Sequence, residues 1–420
     1  MIYAPKGVED ILPPRAELYS QIEREAGNFF SLYGYHQIRI PTFEKTELFL
    51  RSVGEETDVG KQMYTFKDKG GRSLSLRPEG TAGVVRAYIE HKIYGKEKVW
   101  KVWYAEPMFR YERPQAGRLR EFYQIGVEYF GEENPWVDVE IIEMAYLFLS
   151  KLEMDNIEVQ INSIGCKQCR AGYIRQLKIY LKENLSSLCG TCQRRFYSNP
   201  LRVLDCKNKT CRAVLQKAPS IEDFLCSSCK QHFDTVKEGL SRLKIPFTVN
   251  SHLVRGLDYY TRTIFEFKSF YLGSQDTVCA GGRYDDLIEE LGGPSTPAMG
   301  FAIGLERLLL TLEKMGRKPS VPSLPCIFVV TLGKSCIEKG VQIARILRSQ
   351  SILVKVNFTE KGLSAQLKQA GKEGFLWVLI VGENELKNKS YVLKNMKSGN
   401  QQYINEKDIE NISDILRGDT

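Results

Sequence analysis

Two stretches of alternating residues around positions 100–131 carry side chains that can do chemistry. In Trp100-Lys-Val-Trp-Tyr-Ala-Glu106-Pro-Met108-Phe-Arg110, a period of two puts Glu106, Met108 and Arg110 on one face. Gln124, Gly126 and Glu128 share a face of the return run. Both runs are rich in aromatic and β-branched residues and flank a Pro114–Gly117 turn, so they read as a long antiparallel hairpin. A cation, an amide and a carboxylate on one sheet face need either solvent or a polar ligand. Alternation alone leaves both readings open. Arg113, Arg118 and Arg120 crowd the turn and suit a phosphate or a guanine edge better than a bare surface.

Further charged groups sit at places where structure alone is a poor reason for them. Arg77-Pro-Glu79-Gly80-Thr81 is a strand-to-helix corner whose carboxylate and hydroxyl can grip an ammonium group, although Thr81 alone would also serve as a helix cap. Arg255-Gly-Leu-Asp258-Tyr259-Tyr260 packs charge and phenols at the start of an apolar strand, a density that needs a ligand. Arg307 falls in the first turn of a helix whose core stripe is Leu305, Leu308, Leu309 and Leu312. A cation there opposes the helix dipole, and a nearby anion would resolve the conflict. Gly281-Gly282, placed between a strand and a helix, is weak evidence taken alone.

These runs resemble the motifs of class II aminoacyl-tRNA synthetases. Phe109-Arg110-Tyr-Glu-Arg113 with the Arg-Glu-Phe-Tyr-Gln124 return is similar to motif 2, and Tyr-Gln-x-Gly-x-Glu narrows the likeness to histidyl-tRNA synthetases. Arg-Gly-Leu-Asp-Tyr-Tyr resembles that family's histidine motif, and Gly300-Phe-Ala-Ile-Gly-Leu-Glu-Arg307 its motif 3. The resemblance implies that Glu79, Gly80 and Thr81 hold the α-amino group of histidine, and that Gln124 and Glu128 hold the substrate. It gives Arg110 the α-phosphate, Arg255 the reacting carboxylate and α-phosphate, Arg307 the γ-phosphate, and Arg113, in the loop, contact with ATP and the tRNA end. Tyr259 and Tyr260 would close over the imidazole. The implied reaction is ligation of L-histidine to tRNA(His) with ATP, Mg²⁺ travelling with the nucleotide, in a homodimer.

Eight of the 11 cysteines fall in four close pairs: Cys166/Cys169, Cys189/Cys192, Cys206/Cys211 and Cys226/Cys229. Such knuckles direct two sulfurs at one tetrahedral ion, so one or two structural Zn²⁺ are expected, with reduced thiols as the alternative. The family likeness leaves that choice open. Residues 166–232 carry 13 Lys and Arg against 4 Asp and Glu, a basic insertion suited to a nucleic-acid backbone.

The elements that must position these groups follow from pattern. A helix over 15–31 has a Leu18, Ile22, Ala26, Phe29 and Phe30 stripe, and a strand over 35–40 follows it. This pair resembles motif 1, the family's dimer element. A core helix is predicted from Pro135 to Leu152. After a Pro-rich linker at 316–325, alternating strands and helices give a small α/β domain, by resemblance an anticodon-binding one. The whole is expected to be α+β: a class II antiparallel sheet core over 1–320 with the helical insertion 166–232, then residues 326–420. A hydrophobic fraction of 43% with 26% charged residues fits a globular enzyme, and no apolar run is long enough to span a membrane. The first ten residues lack a signal-peptide core, so a cytoplasmic location is expected. Two alternatives stay open: a histidine-sensing regulatory subunit of ATP phosphoribosyltransferase, which lacks the terminal domain, and a class II synthetase for another amino acid.

Overall fold

The computed structural model describes residues 2–54, 57–154, 157–317, 325–359 and 361–418. The chain divides into two compact units, Met1–Pro319 and Ser320–Thr420.

The first unit is built on an eight-stranded sheet. Its order is His36–Gln37, Trp100–Phe109, Glu121–Phe130, Ala298–Gly304, Thr277–Arg283, Thr261–Ser269, Ile157–Ser163, Thr248–Val249. The six central strands pair antiparallel, and only the two short edge strands are parallel to their neighbours. The hairpin is present with Glu106 opposite Gln124 and Tyr104 opposite Gly126. Its alternation has a direct consequence. Trp103, Ile125, Val127 and Tyr129 enter a core with Phe30, Ile142, Phe148 and Leu305, from the Arg15–Ser31, Pro135–Lys151 and Leu305–Lys314 helices. Their neighbours Val102, Tyr104 and Met108 belong to the opposite face, with the Thr81–Glu90 helix and the insertion.

Three expectations change in detail. The strand after Gly34 is only His36–Gln37, two residues long. Gly281 and Gly282 lie inside the Thr277–Arg283 strand rather than at its junction with a helix. A Cβ on Gly281 would sit 2.2 Å from the Gly300 carbonyl oxygen, so close packing of backbones, rather than a turn, selects glycine. Met108, read as part of a polar face, is fully buried among apolar side chains. Beneath the same sheet, Asp138 accepts from Arg283 Nε at 2.7 Å and lies 3.0 Å from His232 Nε2, all three buried. This network joins the core helix, the insertion's last helix and a central strand.

The insertion consists of helices Lys167–Glu183, Gly190–Ser198, Lys209–Leu215 and Ser227–Arg242 joined by short 3₁₀ turns. The second unit is a five-stranded sheet ordered Leu353–Val356, Cys326–Thr331, Trp377–Val381, Ser390–Asn395, Gln401–Asn405. The first three strands are parallel and the last two antiparallel, as crossover helices followed by hairpins require. A short helix at Glu383–Asn388 was not expected from the pattern. Residues 318–324 of the linker lie outside the described residues.

Candidate active site

A cavity of about 370 Å³ opens on the face of the sheet that carries Tyr104 and Gln124. Arg110, Arg255 and Arg307, from segments far apart in the chain, all line it, together with Glu79, Gly80, Thr81, Gln124, Tyr259 and Tyr260.

The carboxylate end is built at the strand-to-helix corner. Glu79 is buried and accepts the backbone N–H groups of Thr81 at 2.7 Å and Ala82 at 2.9 Å, which caps the Thr81–Glu90 helix. Thr81 is thus released from capping, and its hydroxyl donates to Glu128 at 2.7 Å. Tyr284 donates to the other oxygen of Glu128, and Tyr104 donates at 3.4 Å to the oxygen that Thr81 holds. Glu128 itself is only 1% exposed and lies one layer behind the wall that Thr81, Tyr104 and Tyr284 form. Burial pushes its carboxyl up to about 8, and burial likewise raises Glu79. Glycines make this packing possible. A Cβ on Gly126 or Gly80 would lie 2.3 or 2.4 Å from the Tyr104 ring, and one on Gly300 2.0 Å from Glu128 Oε2.

The cationic end has few anions of its own. Arg110 Nε donates to the Pro78 carbonyl at 2.8 Å, and its guanidinium stands 5.1 Å from the centre of the Phe122 ring. Arg307 donates to the carbonyls of Gly117 at 3.2 Å and Thr277 at 2.9 Å. Among the described residues neither arginine is ion-paired. Burial first, and then the Arg118 charge, brings Arg307 down to about 10; burial also lowers Arg110. Arg255 differs, because it pairs with Glu266 and stands 5.7 Å from the Tyr260 ring centre. Its Nε is buried without a partner. Glu266 in turn accepts from the Thr277 hydroxyl at 3.0 Å. The site therefore offers cations short of counter-charge beside a buried acidic corner, which is what an anion and an ammonium group on one ligand need.

Most of the sequence-derived site residues converge here, with three differences, the first being that Glu128, expected to hold the substrate, lies behind the cavity wall. Arg113 is exposed and does not line the cavity, whereas Arg118, paired with Glu112 at 3.3 Å, does. Glu106 is held by buried Arg77 at 2.8 Å, outside the cavity. Sequence reasoning missed Tyr104, Glu266 and Tyr284. Tyr104 shares the period-two face with Glu106 and was recoverable from it; Tyr284 and Glu266 meet their partners only through the fold.

The cysteines form two groups of four. Cys166, Cys169, Cys226 and Cys229 make one, Cys189, Cys192, Cys206 and Cys211 the other, each with its sulfurs within 4.8 Å of one another. Tetrahedral zinc with bonds of about 2.3 Å requires sulfurs about 3.8 Å apart. The Cys166–Cys169 and Cys189–Cys206 sulfurs stand 3.5 and 3.9 Å apart. Backbone N–H groups of Cys226 and Cys189 point at the sulfurs of Cys169 and Cys211, both at 3.1 Å. The Cys192 backbone N–H brings the Cys189 thiol down to about 7. The donor sets fit Zn²⁺.

The family described as Histidyl-tRNA synthetase matches residues 7–169 and 197–308, and Anticodon binding domain matches 327–418. The chain is 47% identical over 404 residues to "Histidine--tRNA ligase" of Halothermothrix orenii, covering 96% of each. It is 44% identical over 417 residues to the protein of that name from Caldicellulosiruptor bescii, covering 99% of this chain and 98% of the relative. Among solved structures, apo S. aureus histidyl-tRNA synthetase superposes with a TM-score of 0.82 at 37% identity, covering 98% of this chain and 99% of that one.

The raised Glu128 carboxyl gives a test. Near pH 7 it is largely protonated in the empty site, and a cation bound beside it lowers its pKa, so binding expels a proton. Histidine titrated calorimetrically at pH 7.5 in buffers of different ionisation enthalpy should release a fraction of a proton, and Glu128→Gln should abolish the release. The effect should fade above about pH 9, where the carboxyl is already ionised. Equal proton release by both proteins would dissociate Glu128 from the bound amino acid.

Proposed function

The chain belongs to the histidyl-tRNA synthetase family, and on that premise we propose how its residues divide the work. The protein charges tRNA with histidine: L-histidine and ATP give histidyl-adenylate and pyrophosphate, and tRNA(His) then takes the histidyl group, releasing AMP. The observation that supports the residue roles best is the single cavity shared by Arg110, Arg255 and Arg307 with the Glu79–Thr81 corner.

Histidine lies with its ammonium group against Glu79 and Thr81, the latter held by Glu128, and with its side chain under Tyr259 and Tyr260. Its carboxylate attacks the α-phosphorus in line, the bond to the bridging oxygen breaks, and pyrophosphate leaves. Arg110 and Arg255 neutralise charge on the α-phosphate, and Arg307, with Arg118, holds the departing phosphates. Arg118 takes the nucleotide role expected of Arg113, because its side chain reaches the cavity. Mg²⁺ enters with ATP as part of the substrate. In the second step the terminal ribose hydroxyl of tRNA attacks the carbonyl carbon and AMP departs. Fixed guanidinium groups in a site shielded from water stabilise these anionic states without reorganising. Hydrogen-bonding groups around the imidazole would reject apolar amino acids strongly.

A regulatory subunit without ligase activity is disfavoured because residues 327–418 match an anticodon-binding domain, which that reading lacks. The reading also carries a homodimer through the Arg15–Ser31 helix and a cytoplasmic location. No helix among the described residues is long and apolar enough to cross a membrane. Sedimentation at the monomer mass of 48.0 kDa would remove the dimer. We also assign one structural Zn²⁺ to each thiol group, where it would fix the insertion's helices and perform no chemistry on the substrate.

Two measurements follow. Arg255→Ala should cut histidine-dependent ATP–pyrophosphate exchange at least about 100-fold while the unfolding midpoint stays near that of the parent. Exchange at the parental rate would take Arg255 out of the mechanism. Elemental analysis of purified protein should find two zinc ions per chain, and Cys192→Ser should reduce this to one. Zinc-free protein with full thermal stability would refute the metal assignment.

A further inference from the structure

The loop over 254–260 presents Arg255, Tyr259 and Tyr260 to the cavity, yet apart from a turn at 258–259 no backbone–backbone hydrogen bond among the described residues holds it. Its main chain is held instead by side chains from the cysteine-bearing insertion. Arg202 Nη1 donates to the Arg255 carbonyl at 3.2 Å. Arg170 Nη1 donates to the carbonyls of Asp258 at 3.2 Å and Tyr260 at 3.0 Å. Asn199 Nδ2 donates to Asp258 Oδ1 at 3.0 Å. The loop's own sequence accommodates this grip, since a Cβ on Gly256 would stand 2.9 Å from Arg202 Nη1.

The mounting of these braces is as telling as their contacts. Arg170 lies in the first turn of the Lys167–Glu183 helix, one residue beyond Cys169 of the first thiol group. Asn199 and Arg202 lie between Cys192 and Cys206, both members of the second. Each brace is thus carried close in the chain to a compact four-sulfur knot, and each knot's segment sends side chains to the same loop. Two guanidinium groups donating to carbonyls on a backbone with little bonding of its own fix where Arg255 and the tyrosines stand.

We infer that Arg202 and Arg170 are positioning residues for histidine, so that the insertion completes the amino-acid site. This rests on the assignment of the 254–260 loop to histidine. A loop free to drift lowers the population that fits the small amino acid, while ATP loses only the share of its grip that Arg255 supplies and keeps Arg110, Arg118 and Arg307 from other elements.

The test is ATP–pyrophosphate exchange by the full chain, with histidine and ATP titrated separately, together with charging at varied tRNA concentration. Arg202→Ala should raise the histidine KM about tenfold and leave the ATP KM within about twofold, as loss of one charge-assisted hydrogen bond implies. Arg202→Lys should recover part of the loss. Arg170→Ala, acting on other carbonyls, should show the same split and keeps the proposal testable if one variant folds poorly. Gly256→Ala should mimic Arg202→Ala and add little to it in the double variant. An unchanged histidine KM in both arginine variants overturns the inference, and so does a rise confined to the tRNA KM. Tyr260→Leu separates the two claims. If it raises the histidine KM while the arginine variants do not, only the bracing is wrong; if none of them does, the loop is not the histidine site.

Discussion

Desolvated guanidinium groups that have no ion-pair partner among the described residues are the constraint on which the rest of the site depends. Arg110 and Arg307 face one cavity with carbonyls as their hydrogen-bond partners. Arg307 is brought down to about 10 by burial and by the neighbouring Arg118. Holding such groups together costs free energy in the empty protein, and a polyphosphate recovers it on binding. The sheet bears the cost because its opposite face packs three helices into a continuous core around Phe30, Phe148 and Leu308. One alternation of the hairpin therefore serves two ends, anchoring with one set of residues and presenting Tyr104 and Gln124 with the other.

The acidic corner shows how shape and charge are linked. Glu128 can lie under the wall because positions 126 and 300 have no side chain, and its oxygens are taken by hydroxyls rather than by a cation. A carboxyl kept mostly neutral near pH 7 is poised to ionise when a positive group arrives. Glu79 does double duty, capping a helix with both oxygens while standing at the cavity.

Local periodicity made much of this legible. The hairpin and the Arg15–Ser31, Pro135–Lys151 and Leu305–Lys314 helices follow from spacing of apolar residues, and the motif arginines from charge in places where a core should be. What depends on contacts between distant segments was hidden. Nothing near Asp138 announces Arg283, and Glu266 meets Arg255 only because the loop that carries Arg255 folds back onto the Thr261–Ser269 strand that follows it. Gly281-Gly282 looks like a turn because the signal for a turn and for two backbones touching is the same residue. The loop conformation, rather than composition, decides that Arg118 enters the cavity and Arg113 does not. Thiol spacing announced four pairs, but the grouping of 166 and 169 with 226 and 229 needed the helices between them.

A crystal structure with a non-hydrolysable histidyl-adenylate analogue bears most directly on the central claim. The account predicts Arg110 and Arg255 both within about 3 Å of oxygens on the one phosphate, with the ammonium group at Glu79 and Thr81. An analogue whose phosphate meets neither arginine, or whose amino group points away from that corner, would contradict it.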